Sequence, residues 1–221
     1  MEIKDYVKKY DPQNQFDVLI NTYQQIEFAW KNQFVIDGIN SSEISNIIIS
    51  GLGGSAISAD LIKNYLVDDI EIPIIVNRNY SLPKFASKNT LFIASSYSGN
   101  TEETIAALKQ AIGIGCKIVC ITTGGEVEQI ANSKKLPCVQ VQPGFQPRYS
   151  LGLSFFSLLK VLQELKLISD QTKIVENVIS LWKQKGIEYS KEGNFAYTFA
   201  ESLVGFIPVI YSVADSTSAV G

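Results

Sequence analysis

The sequence predicts an α/β protein: a three-layer sandwich in which helices flank a five-stranded parallel sheet, followed by the start of a second, similar domain. Two observations carry this. From Asn46 onward short apolar runs alternate with amphipathic stretches, the pattern of a parallel sheet covered on both faces. In addition, Ile47-Ile48-Ile49-Ser50 and Phe92-Ile93-Ala94-Ser95 each end abruptly in small hydroxyl and glycine residues, as buried strands do where the chain turns into a helix.

Residues 1–40 read as a helical lead-in. Asp11-Pro12 pairs a cap with a first-turn proline, and Phe16, Leu19, Ile20, Tyr23 and Ile26 then repeat at helical spacing towards Trp30. Residues 41–168 read as the sheet domain, with strands at 46–51, 72–77, 90–95, 117–122 and 137–141 and helices at 55–67, 101–112 and 125–133. Leu151–Leu167 is apolar on most sides and predicts a buried helix that closes the domain.

Residues 169–221 read as a helical connector leading to the first strand of a second domain. Ile174, Val175, Val178, Ile179 and Trp182 mark an amphipathic helix, Asn194–Val204 a second one stopped by Gly205, and Ile207–Val213 a strand. Val209-Ile210-Tyr211-Ser212 and the small residues Ala214–Gly221 echo the first strand and its loop. One strand without a helix leaves its apolar faces bare, so the expectation is a piece of a longer protein or a strand covered by a partner.

Composition narrows the chemistry. The 221 residues carry a formal net charge of −3 with scattered lysines, which supplies no basic field for nucleic acid. The stretches Leu151–Leu159 and Phe206–Val213 fall short of the roughly 20 apolar residues of a membrane span. Met1-Glu2-Ile3-Lys4-Asp5 lacks the apolar core of a signal peptide, so a cytoplasmic protein is expected. Cys116, Cys120 and Cys138 show neither disulfide pairing nor metal-ligand spacing and read as reduced core residues. The chain has no histidine, which excludes a Ser-His-Asp triad or a histidine-bound metal within it.

Three loops carry the candidate chemistry. Gly51-Leu52-Gly53-Gly54-Ser55-Ala56 matches a dinucleotide-binding turn, but the acidic residue expected at the end of the next strand is replaced by Asn77-Arg78-Asn79. Its glycines equally suit tight strand–helix packing, and Arg78 suits a 2′-phosphate. Ser96-Tyr97-Ser98-Gly99-Asn100-Thr101-Glu102-Glu103-Thr104 sets three hydroxyls and a glycine at one helix start, with Thr101 placed to cap it. Helix starts present unpaired N–H groups and the positive end of a dipole, so two such turns side by side form an anion cradle for a phosphate monoester. Thr122-Thr123-Gly124-Gly125 would line the same rim or serve as an ordinary turn and cap. Arg148, after Pro147, suits an anion crevice or plain surface.

Gly53-Gly54-Ser55, the Ser96–Thr104 motif and Pro147-Arg148 together resemble the sugar isomerase (SIS) domain family, most closely its bifunctional phosphoglucose/phosphomannose isomerases, over roughly residues 45–165. That resemblance implies a phosphorylated hexose as substrate, no cofactor or metal, and a homodimer. It also implies sugar contacts from Gly54 and Ser55, phosphate contacts from Ser96, Ser98 and Thr101, and stabilisation of an enediolate by Arg148. In the family the glutamate base and ring-opening histidine lie in the second domain, and Glu188, Glu192 and Glu201 sit in no matching motif. Two other readings stay open: a non-catalytic regulatory domain that binds phosphosugars, and a nicotinamide-dependent oxidoreductase.

Overall fold

The computed structural model describes residues 2–213. Five strands, β1 (Asn46–Ser50), β2 (Ile74–Asn77), β3 (Thr90–Ser96), β4 (Lys117–Thr122) and β5 (Cys138–Gln140), form one sheet in the order β2-β1-β3-β4-β5, with every pair parallel. The connections run through α4 (Gly54–Tyr65), α5 (Glu102–Ile114) and α6 (Gly125–Lys134). The α/β class and the five-stranded parallel sheet read from the sequence are those observed.

Side-chain alternation divides the sheet into two cores. Ile47, Ile49, Leu91, Ile93, Val119 and Ile121 face one side, where α4 packs with α3 (Thr22–Lys31), α7 (Leu151–Glu164) and α8 (Thr172–Tyr189). Ile48, Phe92, Ala94, Ile118 and Cys120 face the other, against Ile105, Leu108 and Ala111 of α5 and Val127 and Ala131 of α6. Strands buried on both faces need apolar residues at every position, which is why β1 and β3 read as unbroken runs rather than alternating ones. Leu153, Leu158, Val161 and Leu162 of α7 are wholly buried. Among the described residues no helix is long and apolar enough to cross a membrane.

The lead-in differs from one continuous helix. It forms α1 (Ile3–Tyr10), α2 (Gln15–Ile20) and α3. Asp11 does cap, taking the N–H groups of Gln15 and Phe16 at 2.8 and 2.7 Å, but Pro12 lies in the turn before α2 rather than in its first turn. The helices part at Asn21, whose N–H and side-chain amide both donate to the Asp17 carbonyl at 3.0 Å while the amide also reaches the Asp17 carboxylate at 3.1 Å. Ile26 and Ala29 of α3 are fully buried against the sheet-side core.

The C-terminal part also needs correction. A last helix, α9 (Phe195–Ser202), forms and ends before Gly205, but the strand expected at 207–213 does not: these residues have no regular secondary structure, with Ile207 90% and Tyr211 92% exposed. High strand propensity makes no strand without a neighbour to complete the hydrogen-bond ladder. The turn expected over Ala214–Gly221 lies outside the described residues.

Candidate active site

The strand order places β2 and β3 on opposite sides of β1, so the connections leaving β1 and β3 diverge to opposite faces of the sheet. In open parallel sheets ligands occupy the crevice beyond the strand tips at such a switch point. The tips here are the β1–α4 turn, with Gly54 and Ser55, and the β3–α5 turn, with Ser96, Ser98 and Thr101.

Those turns touch. Ser50 pairs with Ala94 across the sheet, and a Cβ on Gly51 would lie 2.8 Å from the Ser95 carbonyl oxygen and 3.1 Å from Ser55 Cβ. Arg148 joins from a third direction. It sits in a 3-10 turn, Pro147–Tyr149, pressed against the start of α4 so closely that a Cβ on Gly54 would lie 2.7 Å from the Pro147 carbonyl oxygen. The structure thus gathers Gly54, Ser55, Ser96, Ser98, Thr101 and the Arg148 turn at one end of the sheet.

The β3–α5 turn is built mainly from its own hydroxyls. Ser96, 1% exposed, shares a 2.9 Å hydrogen bond with the Thr101 hydroxyl and accepts the Gly99 N–H at 3.1 Å. Ser98 is exposed, and its hydroxyl accepts the Asn100 N–H at 3.3 Å. Gly99 adopts φ +70° with the Gly124 carbonyl packed where a side chain would start, a position open to glycine alone.

Thr101 stands at the cap position of α5 with extended backbone, but its hydroxyl turns to Ser96 and makes no capping bond. The expected side-chain cap is therefore absent, and among the described residues the first-turn amides of Glu102, Glu103 and Thr104 have no hydrogen-bond partner. Such amides at the positive end of a helix attract anions. Thr104, fully buried in the same turn, has a hydroxyl without a partner among the described residues.

The β4–α6 turn buttresses this loop rather than offering donors. The Thr122 hydroxyl donates to the Gly124 carbonyl at 2.8 Å and the Thr123 hydroxyl to the Tyr97 carbonyl at 2.6 Å. Asn100 Oδ1 accepts the Glu126 N–H at 3.1 Å, and Gly99 O accepts from Val127 at 3.0 Å. Of the two roles open to these threonines, the ordinary turn is the one built.

Charges around the tips are unevenly engaged. Arg78 pairs with the Asp60 carboxylate on α4, which occupies the one group the sequence offered to a nucleotide 2′-phosphate. The Arg148 side chain is exposed and has no hydrogen bond or ion pair among the described residues. The Tyr80 hydroxyl donates to Glu102 at 3.3 Å, and its pKa is raised by the neighbouring carboxylates, Glu103 foremost.

Sequence reading missed two side chains that shape the site. Tyr97 lies between the two serines, and its hydroxyl accepts the Phe145 N–H at 2.9 Å and donates to the Gln142 carbonyl at 3.1 Å. Gln25 of α3, 2% exposed, donates to the Tyr149 carbonyl at 2.7 Å. Both contacts span long stretches of chain, so spacing carries no sign of them.

No protein-family model matches the chain. It is 37% identical over 210 residues to a bifunctional phosphoglucose/phosphomannose isomerase of Caldicellulosiruptor bescii, covering 93% of this chain and 62% of that protein. It is 36% identical over 198 residues to a protein of the same name from Aquifex aeolicus, covering 86% of this chain and 57% of that protein. The chain is a sequence relative of the bifunctional phosphoglucose/phosphomannose isomerases.

It also has the sugar isomerase fold. A tagatose-6-phosphate ketose/aldose isomerase from Escherichia coli superposes with a TM-score of 0.57 at 18% identity, covering 93% of this chain and 58% of the other. The chain spans about three-fifths of the length of these two curated relatives.

Proposed function

We propose that this chain forms the phosphosugar-binding part of an aldose–ketose isomerase acting on glucose 6-phosphate or mannose 6-phosphate. One observation carries the reading: the uncapped start of α5 and the Ser96–Thr101 hydroxyl pair adjoin the β1–α4 turn at the switch point. In this reading Ser96, Ser98 and Thr101 hold the phosphate ester with neutral donors, and Gly54 and Ser55 border the sugar.

Isomerisation moves a hydrogen from C2 of the aldose to C1 and shifts the carbonyl from C1 to C2, through an enediolate whose oxygens carry negative charge. The Arg148 guanidinium, permanently protonated and able to make a planar pair of hydrogen bonds, suits that charge. No side chain among residues 1–221 is assigned as the proton carrier; the resemblance puts that glutamate and its histidine in a second domain. The division into a lead-in at 1–40, a sheet domain at 41–168 and a connector at 169–221 belongs to the same proposal, as do a homodimer and a cytoplasmic setting.

Calorimetric titration with fructose 6-phosphate tests the reading. The wild-type chain binds without added metal, and Ser96→Ala and Ser98→Ala each weaken binding by about tenfold, the worth of a hydrogen bond to a charged group. Unchanged affinity in both variants removes the phosphate loop from the site. Turnover separates this reading from that of a phosphosugar-binding regulatory domain, for which binding persists in the full-length protein but conversion of fructose 6-phosphate is absent.

A further inference from the structure

The segment that carries Arg148 leaves β5 as an irregular strap. Pro143 has no N–H, Gly144 takes φ +101°, and among the described residues the main chain of 142–145 bonds to no other element except through one side chain. That side chain is Tyr97. Its hydroxyl grips the strap at two points, Phe145 N–H and Gln142 O, three and six residues before Arg148.

The other end of Tyr97 is equally constrained. Its carbonyl accepts both the N–H and the hydroxyl of Thr123, at 3.0 and 2.6 Å, and its ring packs against the sheet-side core. The backbone on either side belongs to Ser96 and Ser98. One residue therefore connects the loop assigned to the phosphate with the strap that delivers the arginine.

Resting on the phosphosugar reading above, we propose that Tyr97 is a positioning residue that sets Arg148 at a fixed distance from the phosphate loop, so that the enediolate and the phosphate are held by one rigid unit. Gln25 steadies the far side of the same turn through the Tyr149 carbonyl, and the Ser150 hydroxyl donates to Pro147 O at 2.9 Å. Burial holds the Tyr97 phenol above its ordinary pKa, so the proton given to Gln142 stays in place at neutral pH.

The test is Tyr97→Phe, which keeps the packed ring and removes both hydrogen bonds. Two ligands separate the roles: fructose 6-phosphate, and an aldonic acid phosphate whose carboxylate imitates the charged enediolate. Tyr97→Phe weakens binding of the acid phosphate about tenfold and of fructose 6-phosphate by less than twofold, in line with two lost hydrogen bonds acting through Arg148. Arg148→Ala reproduces that pattern, and the double variant is no weaker than Arg148→Ala alone. Equal losses for both ligands, or additive losses in the double variant, overturn the proposal.

A second measurement needs no ligand. Hydrogen exchange followed by mass spectrometry speeds up over 142–149 in Tyr97→Phe while the β1 and β3 peptides stay protected. Unchanged exchange over the strap overturns the proposal even if the protein binds no phosphosugar, whereas faster exchange in a protein that binds neither ligand leaves the strap standing and removes the phosphosugar reading.

Discussion

Gly54→Ala probes the junction on which the site depends. Gly54 lies at ordinary negative φ, so alanine meets no backbone strain there and even brings a better helix former. The obstacle is contact. The new methyl would stand 2.7 Å from the Pro147 carbonyl oxygen, and restoring an ordinary separation of 3.4 Å opens the junction by about 0.7 Å. That carbonyl has little freedom to retreat, because it accepts the Ser150 hydroxyl at 2.9 Å and its turn is tied to Gln25.

Overpacking of this kind costs about 1–3 kcal/mol, less up to about 1 kcal/mol returned by helix propensity. Urea denaturation should therefore show a loss of about 0–3 kcal/mol. Recognition suffers as well, because a displaced charged group loses its hydrogen bond to the ligand, worth about 1.5–3 kcal/mol. Affinity for an aldonic acid phosphate accordingly falls about tenfold or more.

Gly53→Ala supplies the contrast. Gly53 has φ +56° and ψ −129°, strained for any L side chain, but open space around its Cβ position; it loses stability through the backbone while leaving Pro147 untouched. Wild-type stability and affinity in Gly54→Ala would refute the close approach of the Arg148 turn to α4.

Three further expectations follow from the same structure. Leu158→Ala, at a fully buried position on α7, lowers stability by about 2–5 kcal/mol in urea titrations; a loss below about 1 kcal/mol would contradict its place in the core. Thr104→Val removes a buried hydroxyl that has no partner among the described residues and raises stability by about 1 kcal/mol, whereas destabilisation would reveal a bond to that oxygen. Burial, with the neighbouring Cys138, pushes the Cys120 thiol up to about 12 from an ordinary 9.0. The folded state thus holds that proton more tightly than the unfolded chain, and its contribution to stability is complete below about pH 9 and is lost as pH rises towards 12. Cys120→Val flattens the alkaline limb of the stability curve, and an unaltered limb would remove the thiol as its cause.

The sheet was legible because doubly buried strands write their position into continuous apolar runs, and the hydroxyl-rich turns were legible because they interrupt those runs sharply. Strand order was not, since nothing in Ile74–Asn77 states that it flanks β1 on the side opposite β3. Local pattern misled where a competing partner existed. Thr101 has a capping residue's type and position, yet Ser96 is the better-placed acceptor and donor. Residues 207–213 have a strand's composition, yet pairing, not composition, makes a strand. Tyr97 and Gln25 act through the segments around Gln142, Phe145 and Tyr149, contacts that only the folded topology brings within reach.

In the proposed reading, electrostatics gives the exposed arginine its role. Glu102 and Glu103 occupy the first turn of α5, where they already draw on the positive helix end that a phosphate would use. A dianion bound there meets two like charges, and neutral hydroxyls offset none of that repulsion. Nearby cations are engaged elsewhere, Arg78 by Asp60 and Lys109 by Glu126 at 2.7 Å, whereas Arg148 has no acidic partner among the described residues. In the proposed reading its charge balances a ligand carrying both a phosphate and an enediolate, and a charge on an irregular strap acts at a defined distance only if the strap is held, as the Tyr97 hydroxyl holds it before Arg148 and Gln25 after it.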